Sequence, residues 1–338
     1  MRIGTEILSR PIAAVLDGFP YAGDFFLAAG IGGLSPRPET VQAFLDGLDE
    51  GLLEDVGSTP AELGRNFVAF LNRMEGLKRQ SGTVSEITIL GGQDKLGRPE
   101  DLSITIRRGE VITVLGPTGS GKSRLLGDIE CLAQGDTQTR RHVLIDGRVP
   151  TPEERFRIEN KLIAQLTQNM NFVMDLPVMD FLRLHGESRM IQDVEGVTRR
   201  IFDAANDLAG EQFLPTTPLT QLSGGQSRAL MIADTAFLSL SPVVLIDEIE
   251  NAGVDRKKAL GLLVREQKIV LMSTHDPILA LMGDKRIIIE NGGIKALLET
   301  SARERENLAV LEELDRKHTR LLHLLRSGER AEIPFADL

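Results

Sequence analysis

The run Gly116-Pro117-Thr118-Gly119-Ser120-Gly121-Lys122-Ser123 constrains this chain more than any other feature. It fits the GxxxxGK[ST] phosphate loop and stands between the β-branched run VITVL and a helical pattern that opens at Lys122. Glycines let such a loop turn its backbone N–H groups inward, and the positive end of the following helix adds to the pull on an anion. Lys122 is then placed to reach β- and γ-phosphates and Ser123 to ligate magnesium, with Arg124 next in the first turn. A glycine-rich turn without a ligand is the plainer reading of the letters; a strand before and a helix after argue against it.

Beyond residue 85, strand and helix patterns alternate. SEITIL, LSITI, EVITVLG, a helix from Lys122, HVLIDG and a long helical stretch are followed by VVLID, KIVLMS and KRIIIE. This predicts an α/β chain with a parallel-rich sheet between helices. Residues 3–78 instead repeat apolar positions at helical spacing, as in VQAFLDGLDEGLL and ELGRNFVAFLNRM, and predict a small all-helical domain. Ser58-Thr59-Pro60-Ala61-Glu62 marks a helix start, with Pro in the first turn and Glu near the positive dipole end. The polar KRQSGTVS marks a boundary, and ALLETSARERENLAVLEELDRKHTRLLHLLRSGE after Gly293 predicts one or two amphipathic helices packed on the core. The expected domains are 1–80 helical, 81–298 nucleotide-binding and 299–338 a C-terminal helical extension.

Composition narrows the partners. A net charge of -10 argues against a nucleic-acid backbone, whose affinity comes mainly from Lys and Arg. Cys131 is the only cysteine, so no disulfide or cysteine-rich metal site forms within one chain, and a reducing, cytoplasmic setting fits. The N-terminus lacks the order of a signal peptide. The longest apolar runs, such as VITVLG and PVVLI, fall well short of the ~20 residues that span a bilayer, so any membrane connection must come through another subunit.

Two further motifs carry chemistry. Val243-Val244-Leu245-Ile246-Asp247-Glu248 is an apolar strand ending in two carboxylates; Asp247 suits magnesium, and Glu248 suits orienting or deprotonating an attacking water. By itself such an ending is more often a strand meeting solvent. Leu222-Ser223-Gly224-Gly225-Gln226 opens a helical pattern, where Ser223 Oγ and backbone N–H groups could face an anion, although a lone LSGGQ could also be a surface turn.

With phosphate loop, LSGGQ and Asp-Glu strand in this order, residues 84–298 resemble the ATP-binding cassette (ABC) ATPases. The resemblance implies a P-loop NTPase fold of ABC type, a RecA-like core with antiparallel β and helical subdomains, using ATP and Mg2+. It implies an ATP-dependent homodimer in which the signature of one protomer covers the γ-phosphate held by the other. It also makes Gln168 the magnesium-sensing glutamine, with Gln165 a nearby competitor, His275 the switch histidine and Asp255 part of the dimer-contact loop. Three departures stand out: no aromatic residue in GGQDKLGRPEDL to stack adenine, IENAGVD after the strand in place of Pro-Thr-Ser-Ala-Leu-Asp, and some eighty residues ahead of the cassette. That leading segment resembles a short helical domain of iron–sulfur repair proteins, but Gly30-Ile31-Gly32-Gly33 is followed by no thiol. It reads as a docking module or as simple structural packing.

The leading functional reading is a soluble ATPase that remodels or activates a partner protein, such as a soluble metalloenzyme. It draws on the extra helical domain, the unusual dimer-contact loop and the C-terminal helices. The alternative is the energy-coupling ATP-binding subunit of a membrane transporter, peripheral to the membrane through its partner, with Met170, Phe172, Met174 and Leu176 as a dock. A DNA-maintenance role is disfavoured by the charge.

Overall fold

A computed structural model of the chain describes residues 3–32, 34–79, 84–156, 161–167, 172–189, 191, 193–247, 253–330 and 332–334. It divides into one unit of Met1–Gly82 with Glu187–Gln192 and another of Thr83–Gly186 with Asp193–Leu338.

The first unit contains a 3-10 turn (Thr5–Ser9) and helices α1 (Ile12–Gly18), α2 (Ala22–Ala28), α3 (Val41–Asp46), α4 (Glu50–Val56) and α5 (Pro60–Arg79). The expected start of α5 is present and closes as a capping box. Thr59 N–H donates to Glu62 Oε2 at 3.0 Å and Glu62 N–H to Thr59 Oγ1 at 3.3 Å. These hydrogen bonds from Thr59 hold the Glu62 carboxyl below its ordinary range. Ile12, Val15, Phe26, Val41, Leu45, Phe67 and Leu71 are fully buried, and the Phe25, Phe26 and Phe67 rings meet at centroid distances of 5.0 to 5.5 Å.

The second unit opens with β1 (Glu86–Leu90), β2 (Ser103–Arg107), β3 (Val111–Leu115), α6 (Lys122–Glu130), β4 (His142–Ile145), α7 (Pro152–Phe156) and β5 (Ile163–Leu166). It continues through α8 (Val178–Ser188), α9 (Val194–Leu208), α10 (Gly224–Phe237), β6 (Val243–Asp247), α11 (Arg256–Arg265), β7 (Ile269–Ser273), α12 (Pro277–Met282), β8 (Lys285–Glu290), β9 (Gly293–Glu299) and α13 (Ala302–Arg326). Two sheets result. An antiparallel one has the order β2-β1-β4, and a six-stranded one has the order β5-β6-β7-β3-β8-β9. The first five strands of the larger sheet run parallel and β9 pairs antiparallel with β8. Apolar faces of both sheets and of α6 share one core that includes Ile87, Ile104, Ile112, Leu125, Val143, Leu245 and Leu271. This is the expected α/β architecture with its antiparallel β portion.

Two expectations need correction. ALLE after Gly293 belongs to β9 and not to a helix: Asn291 and Gly292 both take positive φ, 51° and 82°, and turn the chain so that Ala296 and Leu297 pair with Ile288 and Ile287. Pairing overrides the helical preference of Ala, Leu and Glu. The stretch after HVLIDG is likewise not continuously helical, since β5 lies within it and pairs with β6.

The parallel strands aim their C-terminal ends in one direction. β3 leads into the phosphate loop, β6 ends at Asp247 and β7 precedes His275. Beside this edge lies a fully buried ion cluster. Arg141 donates to Glu100 Oε1 at 2.6 Å, to Asp128 Oδ2 at 2.9 Å and to the Gly292 carbonyl at 2.8 Å. Glu100 also accepts N–H bonds from Gly92 at 3.0 Å and Ile294 at 2.6 Å.

Arg141→Ala leaves both carboxylates buried without their cation, so we expect a loss of about 3–5 kcal/mol in urea unfolding. Burial alone would raise Glu100; the bonds from Arg141 and from the Gly92 and Ile294 N–H groups outweigh it and lower the pKa below its usual 4.5. A carboxylate with a depressed folded-state pKa contributes stability that is present above the unfolded value and lost as pH falls through the folded one. Wild-type stability should therefore decline on acidification below about pH 4.5, and Arg141→Ala should flatten that decline.

Candidate nucleotide site

Backbone conformation and close packing dictate the glycines of the loop. Gly121 is the N-cap of α6 at φ 111°, and a Cβ there would lie 2.9 Å from Gly292 Cα; one on Gly116 would lie 2.4 Å from the Ile289 carbonyl oxygen. Gly119 also has positive φ, and Pro117 and Thr118 complete the crest. The β8–β9 turn braces this loop, with Gly292 N–H donating to the Ser120 carbonyl at 2.6 Å. Lys95, from the hairpin between β1 and β2, donates through Nζ to the Gly119 carbonyl at 2.7 Å.

Lys122 is buried, and its Nζ donates to the carbonyls of Gly116 at 2.9 Å and Pro117 at 3.3 Å. The ammonium therefore lies over the loop it serves. Ser123 and Arg124 are exposed in the first turn of α6, and Arg124 hydrogen-bonds Gln138. The Ser120 hydroxyl is buried, with no hydrogen-bond partner among the described residues. α6 closes on Cys131, whose thiol is pushed up by burial and then by the charges of Asp128 and Asp136.

A cavity of about 370 Å3 adjoins the loop, lined by Gln93, Asp94, Lys95, Arg124, Gln138 and Thr139 together with glycines. Among the described residues no aromatic ring lines it. Its polar, cationic walls match the sequence departure at the adenine position.

Asp247, at the end of β6, lies opposite Ser273 of β7 and accepts a hydrogen bond from that hydroxyl. Its other carboxylate oxygen, with the Ser123 hydroxyl, supplies the oxygen-only donor chemistry that a hard cation such as Mg2+ requires. His275 is exposed directly after β7. The next residue, Asp276, caps α12 by accepting from Ile278 N–H at 2.7 Å and also binds Arg256. Glu248 and Gln168 lie outside the described residues; Gln165 sits within β5.

In the signature, Leu222 precedes Ser223, the N-cap of α10. Ser223 N–H donates to Gln226 Oε1 at 2.9 Å, and Gln226 N–H returns to Ser223 Oγ at 3.3 Å. Ser223 and Gly224 are exposed, with Gly225 and Gln226 half-buried behind them. Asp255 is the N-cap of α11, accepting from Lys258 N–H at 3.0 Å, and its own N–H is held by the Leu208 carbonyl at 2.9 Å. Among the described residues no hydrogen bond joins the signature turn to the phosphate loop.

Sequence reasoning passed over Lys95, Arg141, Ser273 and Arg256, whose partners lie 13 to 151 residues away. One signal was available: Asn291-Gly292-Gly293 after KRIIIE is a hairpin motif and locates the turn that braces the loop.

A phosphate loop, an Asp-ended strand and a histidine loop on one edge of a parallel sheet define a P-loop nucleotide hydrolase. A family model described as ABC transporter matches residues 99–251. An uncharacterized ABC transporter ATP-binding protein of Methanocaldococcus jannaschii is 50% identical over 248 residues, covering 73% of this chain and 95% of that one. An energy-coupling factor transporter ATP-binding protein of Enterococcus faecalis is 30% identical, covering 57% and 69%. A solved structure described as the ATP-binding subunit of an ABC transporter shares the fold, with a TM-score of 0.51 at 20% identity over 66% of this chain and 92% of that one. The chain belongs to the ABC family and is an ATPase that uses ATP with Mg2+. None of these relatives supports the resemblance of the leading helices to the iron–sulfur repair domain.

Lys122→Ala should weaken ATP–Mg2+ binding about 100-fold, the loss typical of a charged hydrogen-bond donor. Isothermal titration checks it; unchanged affinity would move the phosphates elsewhere.

Proposed function

We propose that this chain is the energy-coupling ATP-binding subunit of a membrane ABC transporter and works as a homodimer. The observation that carries the proposal is 50% identity across 95% of a protein named as an ABC transporter ATP-binding protein. This reverses the order of the two readings drawn from sequence: the relatives support coupling to a membrane subunit and lend none to a soluble metalloenzyme partner. No helix among the described residues is long and apolar enough to cross a membrane. A dock is available after β5, where Val173 is 94% and Met174 45% exposed, with Leu184 of α8 also exposed. The leading helical unit would serve as a further docking module.

In this reading the loop N–H groups and Lys122 bind the phosphates, and Arg124 stands at the nucleotide side of the helix. Ser123 and Asp247, with Gln168, would hold Mg2+, which would offset charge on the phosphate oxygens. Glu248 takes the proton of the attacking water and His275 contacts the γ-phosphate. Ser223, with Leu222, Gly224, Gly225 and Gln226, presents the N-terminus of α10 to the nucleotide held by the second chain, and Asp255 lines the contact between chains.

Glu248→Gln should keep ATP binding while steady-state turnover falls roughly 100-fold or more. Because each site takes its loop from one chain and its signature from the other, Ser223→Glu and Lys122→Ala should each be inactive alone. Mixed together, they should regain turnover from the one intact composite site. Continued silence of the mixture would mean that the signature acts within its own chain. The transporter role is tested by fractionating native cells. Recovery with membranes, and detergent extraction with a polytopic subunit that stimulates turnover, is expected; recovery wholly outside the membrane with a soluble partner would overturn it.

A further inference from the structure

Helix α13 is polarised along its length. Up to Asp315 it carries five carboxylates and two arginines; from Arg316 to Arg326 it carries four basic side chains and two histidines without a carboxylate. One face is anchored to the cassette by ion pairs of Glu304 with Arg286 at 2.5 Å, Glu312 with Lys257 at 2.9 Å and Asp315 with Arg256 at 3.2 Å.

The other side has a different pattern. Val310, Leu314, Lys317, Leu321 and Leu324 are spaced by four, three, four and three residues, the a/d repeat of a two-helix seam. At about 100° per residue this stripe points away from the anchoring carboxylates. Val310 is 61% and Leu314 45% exposed, so within one chain the stripe is uncovered along half its length.

We propose that α13 pairs antiparallel with α13 of a second copy of this chain. Charge selects both the occupant and the direction. A parallel pair would set basic half against basic half, whereas an antiparallel pair sets each acidic half against the basic half of its mate. Centring the pair between Asp315 and Arg316 layers Val310 on Leu321 of the second copy and Leu314 on the stem of its Lys317. The same register brings exposed Glu313 opposite Arg320 of the second copy, twice by symmetry. Glu313 also pairs with Arg316 on its own helix, an exposed contact that exchanges at little cost. Asp315, at the centre, is held by Arg256, which also binds Asp276 next to His275, so the two-fold axis would stand beside the switch loop.

This contact goes beyond the ATP-bridged sandwich, because it holds two chains together whether or not a nucleotide spans them. A seam this short supports a Kd on the order of 10 µM.

The test is sedimentation velocity of the full chain without nucleotide, from about 1 to 100 µM, which brackets that Kd. Wild type should shift from monomer to dimer. Leu314→Asp should remain monomeric. Glu313→Arg and Arg320→Glu should each weaken the dimer about tenfold, and the doubly swapped chain should recover it. All three positions are exposed, so helix content and ATP affinity serve as folding controls. A wild-type monomer throughout the range, or a dimer indifferent to every substitution, overturns the proposal. So does flotation of a monomeric chain with phosphatidylglycerol vesicles that Arg320→Glu abolishes and the double swap does not restore, which would assign the face to a membrane. Because the measurement needs neither nucleotide nor transporter subunit, its failure is separate from failure of the transporter reading.

Discussion

Arg141 is the interaction on which the nucleotide site rests. One guanidinium holds Glu100 from the hairpin between β1 and β2, Asp128 from α6 and the Gly292 carbonyl from the β8–β9 turn. These three places surround the phosphate loop. Asp128 lies on the helix that begins with Lys122 and Ser123, Gly292 packs on Gly121, and the hairpin carries Lys95 to Gly119. A buried charge of this kind is weak evidence for overall stability, since apolar replacements of similar volume often match it. What it supplies here is register: every wall of the loop is referred to a single planar group with fixed donor directions.

The larger sheet then distributes chemistry along one edge. Strand order sets β7 between β3 and β6, so the histidine loop emerges between the phosphate loop and Asp247, and Ser273 of that same strand steadies the carboxylate. The signature is organised separately. Its glutamine spends its side chain on the Ser223 N–H and on the Glu211 carbonyl, which fixes the turn at the start of α10 and leaves the exposed first-turn backbone facing outward. A preformed turn of this type presents its donors without a reorganisation cost when an anion arrives.

The phosphate loop, the alternating strands and the start of α5 were legible because each is a local pattern: a glycine spacing, a run of β-branched residues, a Thr-x-x-Glu box. β9 was not, since Ala-Leu-Leu-Glu favours a helix locally and becomes a strand only because β8 lies beside it. β5 was hidden by its four-residue length. Arg141 was passed over, because nothing within a few residues reveals partners 13, 41 and 151 positions away. Asp255 was assigned to a contact loop from resemblance; its side chain also has a local task, capping α11, that the spacing Asp255 to Lys258 contained. Sequence placed the remodelling reading ahead of the transporter one, an order the relatives reverse, because the motifs the two share concern ATP and say nothing of what ATP drives.

Cys131 gives the molecule a natural vantage point on its own chemistry. The chain has a single thiol, and it sits one helix away from Lys122, at the far end of nine residues of α6, or about 14 Å along the axis. A helix that short moves as a rigid lever, so a dye attached there would register tilting of the phosphate loop without any cysteine having to be added or removed. The same surroundings that make the position informative also slow its labelling: partial burial and two nearby carboxylates raise the thiol above its ordinary range, so less of it is the reactive thiolate.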